Sequence, residues 1–288
     1  MNEESPKEEW LYEITPKNSL FSLNLKEVWQ YRDLLFLFVK RNIITTYKQT
    51  ILGPLWYLIQ PVLTALTFTL IFNKIANIDT GSVPPFLFNM VGITTWGYFK
   101  SCLTGTSDTF KGNAGIFSKV YFPRMIMPLV TVITNLFRFG IQLLILSGFY
   151  LYYFYNGASI SLNSYSLLFP VLIILMGLLG LGLGMIISSM ITKYRDLKFL
   201  LNFGVQLLMY VSAVMYPISL VQEKLPKFAW LVEYNPMAYV IEAARYMILS
   251  DGNVVMSGLV YTALVTLVVL FIGILIFNKT EKSFIDTI

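Results

Sequence analysis

Six stretches of twenty or more mostly apolar residues run through this chain, at about 54–73, 86–109, 126–154, 167–191, 199–220 and 257–277. Each matches the roughly 20 residues that a helix needs to cross a hydrocarbon core of about 30 Å. None alternates with the two-residue period of a membrane β-barrel strand, so an all-α integral membrane fold of six transmembrane helices is predicted. Composition points the same way. Of 288 residues, 56% are hydrophobic and 13% charged, against about 25% charged in an ordinary soluble domain. There is too little polar surface to cover a water-facing globule.

The lysines and arginines are distributed unevenly about these runs. Fifteen fall before the first run, in the loops after the second and fourth, and in the tail; only Lys74, Lys224, Lys227 and Arg245 fall on the opposite side. By the positive-inside rule both termini are expected in the cytoplasm. The net charge of +5 is then a matter of topology, and no nucleic acid partner is expected. Residues 1–33 are rich in Glu and lack an apolar run of signal-peptide length, so the first span is expected to act as its own insertion signal. The expected organisation is a cytoplasmic tail over 1–23, an amphipathic interfacial helix over 24–50, a six-span domain over 51–278 and a short cytoplasmic tail over 279–288.

The interfacial helix is read from Leu25, Val28, Trp29, Leu35, Val39 and Ile43 at helical spacing, interrupted by Arg32, Lys40, Arg41 and Lys48. A soluble helix covering a partner is the alternative. The stretch 221–256 is too long for a structureless connection. Asn235 and Pro236 supply an N-cap and a first-turn proline, followed by Met237, Val240, Ile241, Ala244 and Ile248 on one face. With Phe228, Leu231 and Val232 upstream, two short re-entrant helices are predicted over about 222–250, with Glu242 and Arg245 able to pair on the face opposite the apolar one. In the loop Lys111–Arg124, Asn113 is placed to cap a short helix through Ile116, Phe117 and Val120, which Pro123 would stop. Its apolar residues, Tyr121 included, suit either docking onto a soluble partner or an ordinary interfacial loop. The fourth run holds Gly177, Gly180, Gly182 and Gly184, and the spacing of Gly180 and Gly184 predicts close helix packing.

Much chemistry is excluded. The chain has no histidine and a single cysteine, Cys102, so it forms no internal disulfide, Cys/His zinc site or Ser/His/Asp triad. Asp108 is the one carboxylate in the runs, near an end, so there is no acidic relay of the kind that drives ion-coupled carriers. No GxxxxGK[ST] phosphate loop occurs. No catalytic site and no cofactor are expected in this chain, and energy for uphill transport must come from a partner. Two cations lie within runs. Lys100 is close enough to the cytoplasmic edge to snorkel. Arg138 is 12 residues into its run, about 18 Å deep, and is the better candidate for a pathway residue meeting an anionic group. Aromatic residues make up 16% of the chain, and beyond an interfacial belt their flat faces suit sugar rings. Tyr98, Tyr210 and Tyr216 are the pathway candidates; the last two are separated by about 120° on a helix, so Tyr216 is expected to line a channel and Tyr210 to pack between helices.

Four blocks then resemble a known family: VKRNIITTYKQTILGPLWYLIQP (39–61), SKVYFPRMIMP (118–128), KYRDLKF (193–199) and YNPMAYVIEAAR (234–245). In this order they resemble the ABC type-2 permeases, and among them the membrane subunits of polysaccharide exporters for O-antigen, capsule or teichoic acid. The resemblance implies a bacterial inner-membrane permease homodimer bound to two separate ATPase subunits, which hold the ATP and magnesium. It implies coupling elements at 113–123 and 193–198, hence Phe117, Val120, Tyr121, Arg195 and Asp196. External gate helices at 222–250 would involve Asn235, Pro236, Met237, Glu242 and Arg245. Arg138 departs from what the family leads one to expect. Export of lipid-linked polysaccharide is the leading reading; export of a drug or other small amphiphile is the alternative, and a membrane glycosyltransferase is disfavoured by the missing carboxylates.

Overall fold

The structure is a computed structural model that describes residues 25–48, 53–250, 252 and 255–284. The expected tail over 1–23 and the final residues 285–288 lie outside the described residues. Among those described there are helices and no strand. In chain order they are α1 (Leu25–Gln30), α2 (Arg32–Tyr47), α3 (Trp56–Phe68, continued by a π-helical turn Thr69–Ile75), α4 (Pro85–Ser107), α5 (Thr109–Gly112) and α6 (Ala114–Phe117). Then follow α7 (Ile126–Tyr155), α8 (Phe169–Lys193), α9 (Leu197–Val211), α10 (Ile218–Lys224), α11 (Ala229–Glu233), α12 (Pro236–Leu249) and α13 (Met256–Phe284).

The centre of the bundle is α8, packed between α4 and α13. Its glycines explain how. Gly180 and Gly184 are four apart and share a face, whereas Gly182 lies about 200° of rotation away from Gly180. A Cβ on Gly180 would stand 2.8 Å from Cys102 Cβ, and one on Gly184 only 2.5 Å from Thr106 Cβ, both on α4. On the other face a Cβ at Gly182 would meet Leu270 Cα at 2.9 Å, and one at Gly273 the Gly182 carbonyl at 2.6 Å. One helix thus lets two neighbours approach to backbone contact, as small-residue spacing allows.

Among the described residues four helical stretches are long and apolar enough to cross a membrane: Trp56–Ile75, Ile126–Tyr155, Ser164–Lys193 and Met256–Lys282. The other two expected spans differ from these for different reasons. Helix α4 has 23 residues, about 34 Å, but it carries Asn89, Thr94, Thr95 and Thr106, all buried. Its polar groups are covered by neighbouring helices, so its composition falls short of a lipid-facing helix. Helix α9 is apolar but has 15 residues, about 22 Å, which is short of a hydrocarbon core. The expected run to residue 220 is interrupted: the helix stops at Val211, Ala213 takes a left-handed φ of 53°, and Ala213, Val214 and Met215 are buried.

Side-chain ties define two ends of the bundle. At one, Lys198 Nζ meets Asp108 Oδ1 at 2.8 Å, and Arg124 Nη1 donates to the Glu281 carbonyl at 2.7 Å. There α2 packs Leu35, Phe38 and Val39 against Phe122, Ile126, Met127 and Val130. This end gathers the basic segments. At the other, Asn163 and Ser166 donate to the carbonyls of Tyr246 and Met247, and Tyr261 donates to that of Tyr234. The expected apolar stripe of the interfacial helix is divided: Leu35 and Val39 are buried against α7 while Trp29 is exposed, along with Phe36, Leu37 and Ile44. The helix is interrupted at Tyr31, between α1 and α2.

Candidate functional site

At the end opposite the basic loops, the unwound segment after α9 and the start of α12 form one polar network. Asn235 caps α12 through Oδ1, which accepts from Met237 N at 3.0 Å, and its Nδ2 donates to Ser212 Oγ at 2.8 Å. Pro236 occupies the first turn, where its missing N–H leaves nothing unpaired. The apolar face expected from sequence, Met237, Val240, Ile241 and Ala244, is fully packed. Arg245 is turned inward. It is 3% exposed, and its guanidinium donates to the carbonyls of Ala213 at 2.9 Å, Val214 at 2.6 Å, Tyr216 at 3.3 Å and Phe88 at 3.4 Å. It also lies 3.6 Å from the centre of the Phe88 ring. Unwound backbone within an apolar bundle must find donors inside the protein, and Arg245 supplies them. Gly92 makes the room, since a Cβ there would stand 2.5 Å from the Val214 carbonyl and 2.7 Å from Arg245 Nη2. Glu242 is half-buried; burial pushes its carboxyl above the ordinary value, and the charge of Arg245 counters that rise.

The pathway tyrosines are arranged otherwise than expected. Tyr98 is buried, stacked on Phe139 with ring centres 4.9 Å apart, and fills the space left by Gly177. It is a packing residue of this chain's own core. Tyr216, expected to line a channel, turns its hydroxyl back to donate to the Tyr210 carbonyl at 2.5 Å. It thereby satisfies one of the orphan carbonyls at the end of α9. Tyr210, expected to pack between helices, is instead 46% exposed.

At the basic end, the loop between α4 and α7 holds two single turns, α5 and α6. Asn113 stands at the start of α6, but its side chain donates to the Thr109 carbonyl at 2.9 Å and caps nothing. The turn ends at Phe117, short of Val120. Phe117 points into this chain's own core, with its ring centre 5.6 Å from Phe122 and 6.4 Å from Phe110, under the Arg124 guanidinium. It is therefore not offered outward with its neighbours. Val120 and Tyr121 are, at 55% and 75% exposure. Arg195 and Asp196 are exposed in the turn before α9, joined to the first loop through Lys198 and Asp108.

Arg138 is half-buried on α7. Its Nη1 donates to Asn135 Oδ1 at 3.3 Å, and its guanidinium lies 5.1 Å from the Tyr57 ring. It borders a cavity of about 370 Å³ between α2, α4 and α7. Sequence reasoning singled out this arginine but not the hydroxyl and amide groups that surround it, because they come from three separate helices.

Relatives align over nearly the whole chain. An O-antigen export system permease protein of Klebsiella pneumoniae is 27% identical over 261 residues, covering 88% of this chain and 94% of the relative. One of Myxococcus xanthus is 25% identical over 264 residues, covering 92% and 98%. A polysialic acid transport protein of Escherichia coli is 25% identical over 254 residues, covering 86% and 93%. The profile of the ABC-2 type transporters matches residues 33–249, and the chain belongs to that family.

Proposed function

We propose that this chain is the permease subunit of an ATP-driven exporter that moves lipid-linked polysaccharide out of the cytoplasm across the bacterial inner membrane. The observation that carries this reading is the end-to-end similarity to permeases named for O-antigen and polysialic acid export. Two such chains form the translocation path, each with six crossings and both termini in the cytoplasm. In this topology the buried α4 and the short α9, completed by the segment around Ala213, make up the second and fifth crossings. Two ATP-binding cassette subunits supply the energy, holding ATP and magnesium, since this chain has no phosphate loop of its own.

The ATPase docks at the basic end, against Val120 and Tyr121 and the turn bearing Arg195 and Asp196. Exposed apolar and aromatic side chains beside cationic ones suit such an interface. Replacing Val120 and Tyr121 together with alanine lowers cargo-stimulated ATP turnover in the purified complex; unchanged turnover removes these two from the interface. At the other end, α10 to α12 act as the external gate, held by Asn235, Pro236, Met237 and Arg245, with Glu242 on the accessible side.

Deletion of the gene tests the cargo. The expected result is loss of one surface polysaccharide, with its lipid-linked form accumulating inside the cell. Intact surface glycan together with increased sensitivity to a drug or detergent would favour the small-amphiphile reading.

A further inference from the structure

The cavity beside Arg138 has a makeup unusual for the flank of an apolar bundle. Among the described residues that line it there is no purely hydrocarbon side chain and no carboxylate. From α2 come Asn42 and Thr45, and from α4 come Ser101 and Thr104. Helix α7 presents Thr131, Thr134, Asn135 and Arg138, spaced three and four apart and so on one face. Gly105 closes the floor, where a Cβ would stand 2.6 Å from Thr131 Cγ2. Asn135 donates from Nδ2 to the Ser101 carbonyl at 3.0 Å. That bond ties α7 to α4 and turns its Oδ1 toward Arg138. Thr134 is 4% exposed and its Oγ1 has no hydrogen-bond partner in the chain. A buried hydroxyl without a partner among the described residues costs about 1–3 kcal/mol, a cost that a hydrogen bond to a bound oxygen would recover.

Among the described residues, one cation with several hydroxyl and amide groups and no acid suits an anion, and a guanidinium matches the oxygens of a phosphate. The volume is at the small end of the roughly 300–1,000 Å³ of ligand pockets, suited to a headgroup rather than a glycan. The same helices carry exposed apolar side chains next in sequence, Ile44 beside Thr45 and Phe137 beside Arg138, where a hydrocarbon tail would lie. We infer that this cavity binds the phosphate or diphosphate group of a lipid. Asn42 and Thr45 stand at the α2 side, and Arg138 and Thr134 hold the phosphate oxygens. The inference rests on the proposed export of a lipid-linked glycan, and it extends that reading to the group by which the carrier is held.

The test is native mass spectrometry of the full chain with its ATPase subunits in detergent. The probes are farnesyl diphosphate, farnesol and phosphatidylglycerol. The wild-type complex is expected to retain farnesyl diphosphate in preference to farnesol. R138Q should weaken that retention about tenfold or more, T134V by a smaller factor, and R138K should fall between wild type and R138Q. If R138Q fails to assemble, T134V and N42A carry the test alone, since neither removes a charge. Competition by phosphatidylglycerol at equal concentration assigns the phosphate site to membrane lipids; its failure to compete assigns it to the carrier. Equal retention of farnesol and farnesyl diphosphate, or undiminished retention in the assembled variants, overturns the inference. The gene deletion reads the cargo without reference to this cavity, so failure of the phosphate site and failure of the proposed cargo are separately visible.

Discussion

Arg245 and Arg138 both lie among the helices of this apolar bundle, and their surroundings differ in kind. Arg245 is enclosed by backbone: carbonyls of residues 213, 214, 216 and 88 accept from it and a phenylalanine ring covers it. Arg138 faces side chains, in a cavity whose hydroxyl and amide groups surround open space. The first arrangement holds an unwound segment in one shape. The second leaves a hollow lined by polar side chains and bordered by a guanidinium. The same residue type thus ties unwound backbone at one end of the molecule and borders a polar cavity elsewhere. The distinction is visible in the partners rather than in depth or charge.

The largest effect expected from breaking this contrast is at Arg245. R245Q leaves several buried carbonyls without a donor, at about 1–3 kcal/mol each. The expected outcome is a sharp fall in membrane-inserted protein and in melting temperature in detergent, with R245K recovering part of both. Melting unchanged in R245Q would show that the segment around Ala213 does not depend on it. A smaller effect in the same network belongs to Asn235. N235A removes the α12 cap and the bond to Ser212, and is expected to lower stability by about 1–2 kcal/mol. N235D, which keeps the cap acceptor but loses the donor to Ser212, should sit between; N235D indistinguishable from N235A would assign the effect to Ser212 alone. The smallest stability effect is at Arg138. R138Q is expected to change it by no more than about 0.5 kcal/mol, read by the same melting measurement, because its surroundings are already polar.

Local chemistry was readable in the sequence and distant partnerships were not. The Asn235-Pro236 start of α12 and the close approach at Gly180 and Gly184 depend on spacing within one helix, and both stand where the spacing put them. Arg245 was read as the partner of Glu242 three residues earlier, because its acceptors lie about 30 residues upstream and at Phe88, beyond any helical period. The partners of Tyr98 and Tyr216 are hidden in the sequence for a related reason. A tyrosine in an apolar run shows its type, while the glycine or carbonyl that receives it belongs to another segment. Phe117 was read outward from its loop, and its partners Phe110 and Phe122 turn it in. Even at Asn113 a local signal misled, since its side chain found the Thr109 carbonyl before the α6 turn. The short α9 was masked by apolar residues on both sides of the break, which hydropathy counts as one run.

The central claim, an exporter that holds its cargo by a lipid phosphate at Arg138, is tested most directly by complementing the deletion strain with R138Q and measuring surface polysaccharide against permease abundance in the membrane. The account expects wild-type abundance of the variant, surface glycan reduced about tenfold by loss of a charge-assisted contact, and lipid-linked glycan retained inside the cell. Full surface glycan from R138Q at wild-type abundance would contradict it.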